Sequence, residues 1–513
     1  MDNLLVLGDI RTMHHAAPRV KAMAVEGERI TFIGEEKAAR AWLAGKTWET
    51  IDARGATVLP GFNDAHMHFA GYALQARGVS LRGAWSAQEV VERLREGLAR
   101  CQGGWLIGRG WNQETFTDRR MVTREDLDEV SRDIPVVASR VCGHVMAANS
   151  RALSMAGVDP ADGLLREDEQ DAIWRVVPRP DPEEKLKAMA EAQGKLYEKG
   201  ITSVQSDDLT GQDDRAFLTL LRDAGDTGRL KVRYAEQASA GEARALEAFF
   251  REGLHEIRGK RMCVSCVKLF ADGSLGARTA ALHNAYADAP ETKGITLYSQ
   301  EALNELVRVA ASHLLPVAVH AIGDAAMGQV LRAIEAEGRG LPHAVVHAQV
   351  TTAEQIALCG HLKVMILAQP IFLDADAPIV RQRVGDSLAE TSYRWRSMLG
   401  AGARVAFSTD CPVEPFDPFP NLYCAMTRQG LHGGEPYLPE EAFTLEEALY
   451  AYTAAGAAAS GERREKGILY PGMLADFIVL DSPLRDNEPA SILEAGVAET
   501  YIGGERVYAK GRN

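Results

Sequence analysis

The chain has 513 residues, 46% of them hydrophobic and 25% charged, which suits a protein with ample core and excludes a disordered or collagen-like chain. Its formal charge is −14, from 57 Lys and Arg against 71 Asp and Glu, and a surface of that sign repels phosphate backbones, so no nucleic-acid partner is expected. No stretch reaches the roughly eighteen uncharged apolar residues of a membrane helix, so no membrane partner is expected either.

The opening residues MDNLLVLGDIR lack the basic start and the long apolar core of a secretion signal, and the seven cysteines are odd in number and scattered. Both features read as a cytoplasmic protein with free thiols. Residues 4–7, 22–25 and 30–34 are strand-like pieces separated by Gly and Asp. An apolar run at 57–62 follows, and similar runs recur at 201–205, 230–234, 264–270, 315–320, 344–347, 364–368 and 404–407. Helical patterns lie between them. Asp181-Pro182-Glu183-Glu184, for example, opens a helix with an N-cap, a first-position proline and early acids, and Gly200 closes it just before the run at 201–205. Eight such runs are the number a (β/α)₈ barrel needs.

The gap after the first run is too long for one crossover helix, so residues from about 74 to 180 read as an insertion, ending in the turn-prone Pro178-Arg179-Pro180-Asp181-Pro182. Near the C-terminus, 477–480 and Tyr501-Ile502, with Gly503-Gly504 as a hairpin turn, resemble the N-terminal pieces in kind. The expected fold is therefore α/β: a TIM barrel, a small β-sandwich domain from both termini, and an insertion after the first barrel strand. Residues 1–55 and 465–513 would form the sandwich, 56–73 the first barrel strand, 74–180 the insertion and 181–464 the remaining barrel.

His66-x-His68 follows the first run, and residues two apart on an extended chain point the same way, so both imidazoles can meet one ion. Alone this motif is weak. The placement repeats, however: His320 ends the fifth run, His347 the sixth, and Asp410 follows the eighth. Each alone could be a satisfied core histidine, or an Asp opening the turn at Cys411-Pro412. Four strand ends carrying these residues form a metal-ligand set, at the end of the barrel where active sites of this fold sit. Lys268, in Val267-Lys268-Leu269-Phe270, is costly to bury unless its charge is paired or removed. Two readings stay open: an amine carboxylated by CO₂ into a ligand bridging two cations, or an ammonium paired with Asp272 or another acid. Cys263-x-x-Cys266 reads as buried structural thiols. No Walker-type loop or Gly-rich dinucleotide turn follows a strand, so no organic cofactor is expected.

Several stretches resemble the amidohydrolase superfamily, in its YtcJ-like, family 3 branch, which includes N-substituted formamide deformylases. They are the segment from Leu59-Pro60-Gly61 to His66-Met67-His68, the segment from Val267-Lys268 through Asp272-Gly273-Ser274 to Thr279-Ala280, Val319-His320-Ala321-Ile322-Gly323-Asp324, Val346-His347-Ala348-Gln349, Ser408-Thr409-Asp410-Cys411-Pro412-Val413, and Gly472-Met473-Leu474-Ala475-Asp476-Phe477. The resemblance implies His66 and His68 on one divalent metal, His320 and His347 on another, and Lys268, carboxylated, between them. It implies zinc, as one or two ions, and Asp410 as both ligand and catalytic proton shuttle. In the insertion, Trp111-Asn112 and the stretch 141–150 make Asn112 and His144 candidate substrate contacts, while Trp111 either joins them or packs between domains. Asp272 and Arg278 either orient substrate or brace the loop after the fourth run. Phe372, in Gln369-Pro370-Ile371-Phe372, stands where relatives often carry His, and so points to a more apolar substrate group. The resemblance also implies a homodimer, though no surface in the sequence announces one.

The expected reaction is hydrolysis of a C–N amide-type bond in an N-acyl or N-formyl small molecule by metal-activated hydroxide, with Asp410 carrying the proton to the leaving nitrogen. An esterase, lactonase, phosphotriesterase or deaminase on the same barrel stays open. A non-catalytic barrel serving as a binding module is a more distant reading, against which the full ligand set speaks.

Overall fold

Eight parallel strands form one sheet in which each strand lies beside its neighbour in the chain. They are β1 (Phe62–Met67), β2 (Ile201–Ser206), β3 (Arg233–Ser239), β4 (Met262–Phe270), β5 (Val317–Ala321), β6 (Ala344–His347), β7 (Met365–Ala368) and β8 (Arg404–Phe407). The computed structural model describes residues 3–101, 104–141, 145–486 and 488–511. Beyond the strand ends, the Asp410 N–H donates to the His66 carbonyl at 2.9 Å, and the His68 N–H donates to the Cys411 carbonyl at 2.7 Å. These two bonds draw β8 to β1 and bring the sheet close to a closed barrel, the expected TIM architecture. Small side chains such as Ala65, Ala318, Ala344 and Ala406 fill its interior with Val346 and Leu367.

Two expected strands are displaced. Residues 57–60 do not belong to the barrel; they finish the strand Trp48–Pro60 of another sheet, and β1 begins only at Phe62. Gly61 lies at the changeover, where a Cβ would stand 2.2 Å from the Thr202 hydroxyl oxygen, so the chain can pass β2 only without a side chain. The third strand runs over Arg233–Ser239 rather than 230–234, because the sequence RYAEQAS is half polar yet buried at every position but the last.

The chain ends meet in one seven-stranded sheet, in the order Glu505–Ala509, Val497–Ile502, Phe477–Leu480, Trp48–Pro60, Asn3–Arg11, Arg19–Glu26, Arg29–Gly34. Alternation along Asn3–Arg11 sends Leu4, Val6 and Ile10 to a core with Phe477 and Tyr501, and Leu5 and Leu7 to another with Ala22 and Leu43. A bidentate ion pair, Arg233 to Asp476 at 2.5 and 2.8 Å with both side chains 4% exposed, ties β3 to this sheet.

Residues 70–192 make a compact unit of their own. Its sheet has five strands, in the order Leu164–Arg166, Val145–Ala148, Val136–Arg140, Leu106–Trp111, Val79–Ser80. Trp111 is buried in its core beside Leu94, Leu106 and Val136, with the indole N–H donating to the Ala138 carbonyl at 2.8 Å. The helix Pro182–Glu198 starts as its punctuation requires: the Glu184 N–H donates to Asp181 at 2.8 Å and the Asp181 N–H to Glu184 at 3.1 Å. Among the described residues, no helix is long and apolar enough to cross a membrane.

Candidate metal centre

Ligand-type side chains gather at the C-terminal ends of the barrel strands. His66 lies within β1 and His68 just beyond it, and Asp410 follows β8. Asp410 Oδ1 stands 3.3 Å from His66 Nε2 and 3.2 Å from His68 Nε2. One ligating atom from each of the three fits within a 4.8 Å span, the spacing of donors around a common ion. His347 ends β6, with its ring centroid 6.2 Å from that of His66 and 4.5 Å from that of His320 on β5. The five side chains anticipated at four strand ends therefore share one end of the barrel. His66 and His347 are buried, while the His68 side chain is 32% exposed and opens the cluster to solvent.

Each ring is held on its far side. His66 Nδ1 lies 2.6 Å from Gln237 Oε1, His347 Nδ1 lies 2.8 Å from Gln369 Oε1, and His68 Nδ1 lies 3.2 Å from the Asp207 carbonyl. His320 is turned the other way, with Nε2 3.0 Å from the Gly273 carbonyl.

Burial dominates the electrostatics. It drives the His347 imidazole down to about 4 and the His320 imidazole well below its usual value. His66 is also lowered by burial, against the pull of Asp410. At His68 burial is outweighed by the Asp410 carboxylate, together with Asp207 and Asp208, and its pKa rises to about 9. Asp410 is buried too, yet bonds to His66 and His68 hold its carboxyl well below the ordinary range.

Lys268, on β4, is fully buried, and its Nζ makes no hydrogen bond. It rests 3.4 Å from the centroid of the Phe270 ring. Burial lowers its pKa, opposed by the charges of Asp207 and Asp410 rather than by a direct partner. The reading in which Asp272 pairs with it is not what the structure shows. The Asp272 carboxylate instead accepts the N–H groups of Ala281 at 2.9 Å, Ile322 at 3.0 Å and Gly323 at 2.8 Å. Asp272 thereby holds the loop after β4 to the start of the helix Asp324–Glu337, with His320 Nε2 3.5 Å away. Arg278 likewise braces that loop, through two bonds to Asp288 at 3.1 and 2.9 Å.

Two of the remaining candidates lie in the 70–192 unit. Asn112 caps a short turn there by accepting the Glu114 N–H at 3.2 Å and also accepts from Arg140 at 3.1 Å. His144 lies outside the described residues. Phe372 is half-buried, its ring 5.9 Å from that of His347 at an interplanar angle of 22°.

Sequence reasoning missed an acidic group beside the cluster. Asp207 and Asp208 follow β2, and Glu236 lies within β3, where its carboxylate accepts the Asp208 N–H at 3.1 Å. Tyr234 Oη sits 2.8 Å from Asp208 and 2.6 Å from Glu236. Burial raises Asp207, and it raises Glu236 far above the carboxylate range. The signal was present in Asp207-Asp208, a polar pair at a strand end like the one that marked Asp410.

The chemistry of the donors suits a divalent ion. Imidazole nitrogens and a carboxylate oxygen converge, and a buried amine that makes no hydrogen bond lies on the strand between the two histidine groups. Fold and cluster together are those of a metal-dependent hydrolase. The chain belongs to the amidohydrolase family, whose model matches residues 49–508. It is 30% identical to the putative amidohydrolase YtcJ of Bacillus subtilis, across 98% of each chain. It is 25% identical to an N-substituted formamide deformylase of Arthrobacter pascens, across 99% of this chain and 98% of that one. Among solved structures it resembles an uncharacterized metal-dependent hydrolase from Pyrococcus furiosus, with 31% identity, a TM-score of 0.80, and coverage of 95% of this chain and 99% of that one.

Proposed function

We propose that the protein hydrolyses a C–N amide-type bond in a small N-acyl or N-formyl compound. The observation that carries this reading is the convergence of His66, His68 and Asp410 within 4.8 Å at the mouth of the barrel, with His320, His347 and Lys268 on the adjoining strands. In this reading His66, His68 and Asp410 hold one divalent ion, zinc by the chemistry of the donors, and His320 and His347 hold a second, with Lys268, carboxylated, between them. The ions supply a Lewis acid for the scissile carbonyl and hydroxide at neutral pH.

The remaining chemistry falls to the chain. Asp410 directs Oδ1 at the two histidines, which leaves Oδ2 to accept the proton of the attacking water and pass it to the departing nitrogen. Phe372, stacked beside His347, presents an apolar wall that suits a hydrocarbon substituent on the substrate. The deformylase among the relatives supports an N-substituted formamide as the first substrate to assay.

The test is a panel of N-substituted formamides, N-acyl amines, esters, lactones and phosphotriesters, assayed before and after chelation. Chelator-sensitive release of amine from the formamides or acyl amines supports the proposal. Turnover confined to the oxygen esters would overturn it.

A further inference from the structure

We propose that Gln237 and Gln369 are positioning residues, which fix the ring tautomers of His66 and His347 so that Nε2 of each is the metal-ligating atom. The inference rests on the metal-centre reading above and concerns what sets up its ligands. A carboxamide has one oxygen and one NH₂, and its neighbours decide which way it faces. Gln237 Nε2 donates to the Ala65 carbonyl at 3.0 Å, so Oε1 is the atom that faces His66 Nδ1 at 2.6 Å. Gln369 Nε2 donates to the Leu367 carbonyl at 2.9 Å and to the Ser408 hydroxyl at 2.7 Å, so Oε1 faces His347 Nδ1 at 2.8 Å. Reversing either amide would set oxygen against a carbonyl oxygen.

An oxygen that can only accept requires a proton on Nδ1, and a neutral imidazole protonated there carries its lone pair on Nε2. For His66 that lone pair is on the atom 3.3 Å from Asp410 Oδ1, inside the cluster. The other two rings take the same instruction from backbone: Asp207 O for His68 at Nδ1, and Gly273 O for His320 at Nε2. All four rings thus have one nitrogen committed to an oxygen, and only two of the four acceptors are side chains that selection or mutation can change.

Both glutamines are buried, at 1% and 0% exposure, and both are neutral. Carboxylates could accept the same histidine bonds, but they would add charge beside Asp410 and would lose the donor bonds to the Ala65 and Leu367 carbonyls. Each glutamine also acts across strands. Gln237 on β3 reaches a ring on β1, and Gln369 just after β7 reaches the ring that ends β6.

The experiment compares wild type, Gln237→Met, Gln369→Met and Gln369→Glu for Zn²⁺ affinity, by competition with a chromophoric chelator, and for the melting temperature of the metal-free protein. Methionine keeps the volume and removes the acceptor, so Zn²⁺ binding should weaken about 10–100-fold, as for other lost orienting partners of metal-bound histidines. Gln369→Glu reproduces the carboxamide when its buried carboxyl is protonated, with the carbonyl oxygen accepting from His347 and the O–H donating to the Leu367 carbonyl as Nε2 does, so affinity measured at mildly acidic pH should return to within a few-fold of wild type. Wild-type affinity in the methionine variants would overturn the proposal. So would a glutamate variant as weak as its methionine counterpart, because loss of packing alone would then account for both. Should wild type bind no Zn²⁺, the metal-centre reading itself fails. Nitrogen-15 spectra of the histidine rings then decide the tautomer alone, and protonated Nε2 at His66 or His347 would refute the assignment.

Discussion

The Thr409 hydroxyl and backbone N–H both donate to the Asp64 carboxylate, at 2.5 and 3.1 Å, across the join between β1 and β8. Asp64 is buried two residues before His66, and Thr409 immediately precedes Asp410. The pair therefore sets the relative height of the two strand ends whose side chains approach within 3.3 Å. Thr409→Val keeps the shape, removes the hydroxyl donor and leaves a buried carboxylate short of one bond. A stability loss of about 1–3 kcal/mol is expected. Turnover should fall with it, because Asp410 loses its register against His66. Denaturant unfolding and a steady-state assay check the two effects, and unchanged turnover at reduced stability would separate the seam from the site.

Removing Lys268 should be read first in metal content. Elemental analysis of protein purified without chelators should find about two ions per chain in wild type and fewer in Lys268→Ala, because an anionic ligand between the sites would be gone. One ion in both proteins would make Lys268 an ordinary buried amine and favour a mononuclear centre.

How much of this was legible in the sequence depended on where polarity fell along each strand. His320, His347 and Asp410 stood out because apolar runs of β5, β6 and β8 lead directly into them. β1 was misplaced because its own residues, Phe62-Asn63-Asp64-Ala65-His66-Met67, are half polar, whereas the preceding stretch 57–60 looks like a buried strand and serves in the other sheet. The same effect hid Glu236 and Gln237. β3 carries Arg233, Glu236 and Gln237 buried at 3%, 0% and 1%, each satisfied by partners distant in sequence, so an apolar-run criterion stopped at Tyr234. Hydrophobic periodicity reports which residues water rejects, and it is blind to polar groups that the folded chain itself satisfies. The roles of the loop after β4 were hidden for a related reason, since the partners of Asp272 are backbone amides that only the fold assembles.

Asp410→Asn should retain the fold and some metal yet lose at least about 10²-fold in turnover, the usual scale for a lost proton-transfer group. The amide can still offer an oxygen to an ion but cannot take up a proton. Circular dichroism, metal analysis and kcat together check this, and activity near wild type would reject the shuttle.

Phe372→His would place a polar ring beside His347 in place of the stacked phenyl. Substrates with apolar substituents should lose kcat/KM relative to those with small polar ones, by about 1–3 kcal/mol of discrimination for a modest change in an apolar pocket. A preference series that does not change would remove Phe372 from the substrate wall.

The Arg233–Asp476 pair yields a prediction whose sign reverses with the partner removed. Burial alone would raise the Asp476 carboxyl, but the charge and bonds of Arg233, with the Gly503 N–H, bring it below its ordinary value. A carboxyl lowered on folding contributes stability that is fully present above the unfolded pKa of about 3.9 and is lost as pH falls through the folded value. Wild type should therefore weaken below about pH 4 in part through this pair. In Arg233→Met the carboxylate is left buried without its countercharge, at a cost of about 3–5 kcal/mol near neutrality. Its pKa should then rise above the unfolded value, so this group's contribution now falls as pH increases from about 4 toward neutrality. The double variant Arg233→Met/Asp476→Leu removes both charges and should recover much of the loss, with its dependence on this group abolished. Unfolding free energies of the four proteins between about pH 3 and 8 decide it, and parallel curves for wild type and Arg233→Met would show that the pair does not govern the titration of Asp476.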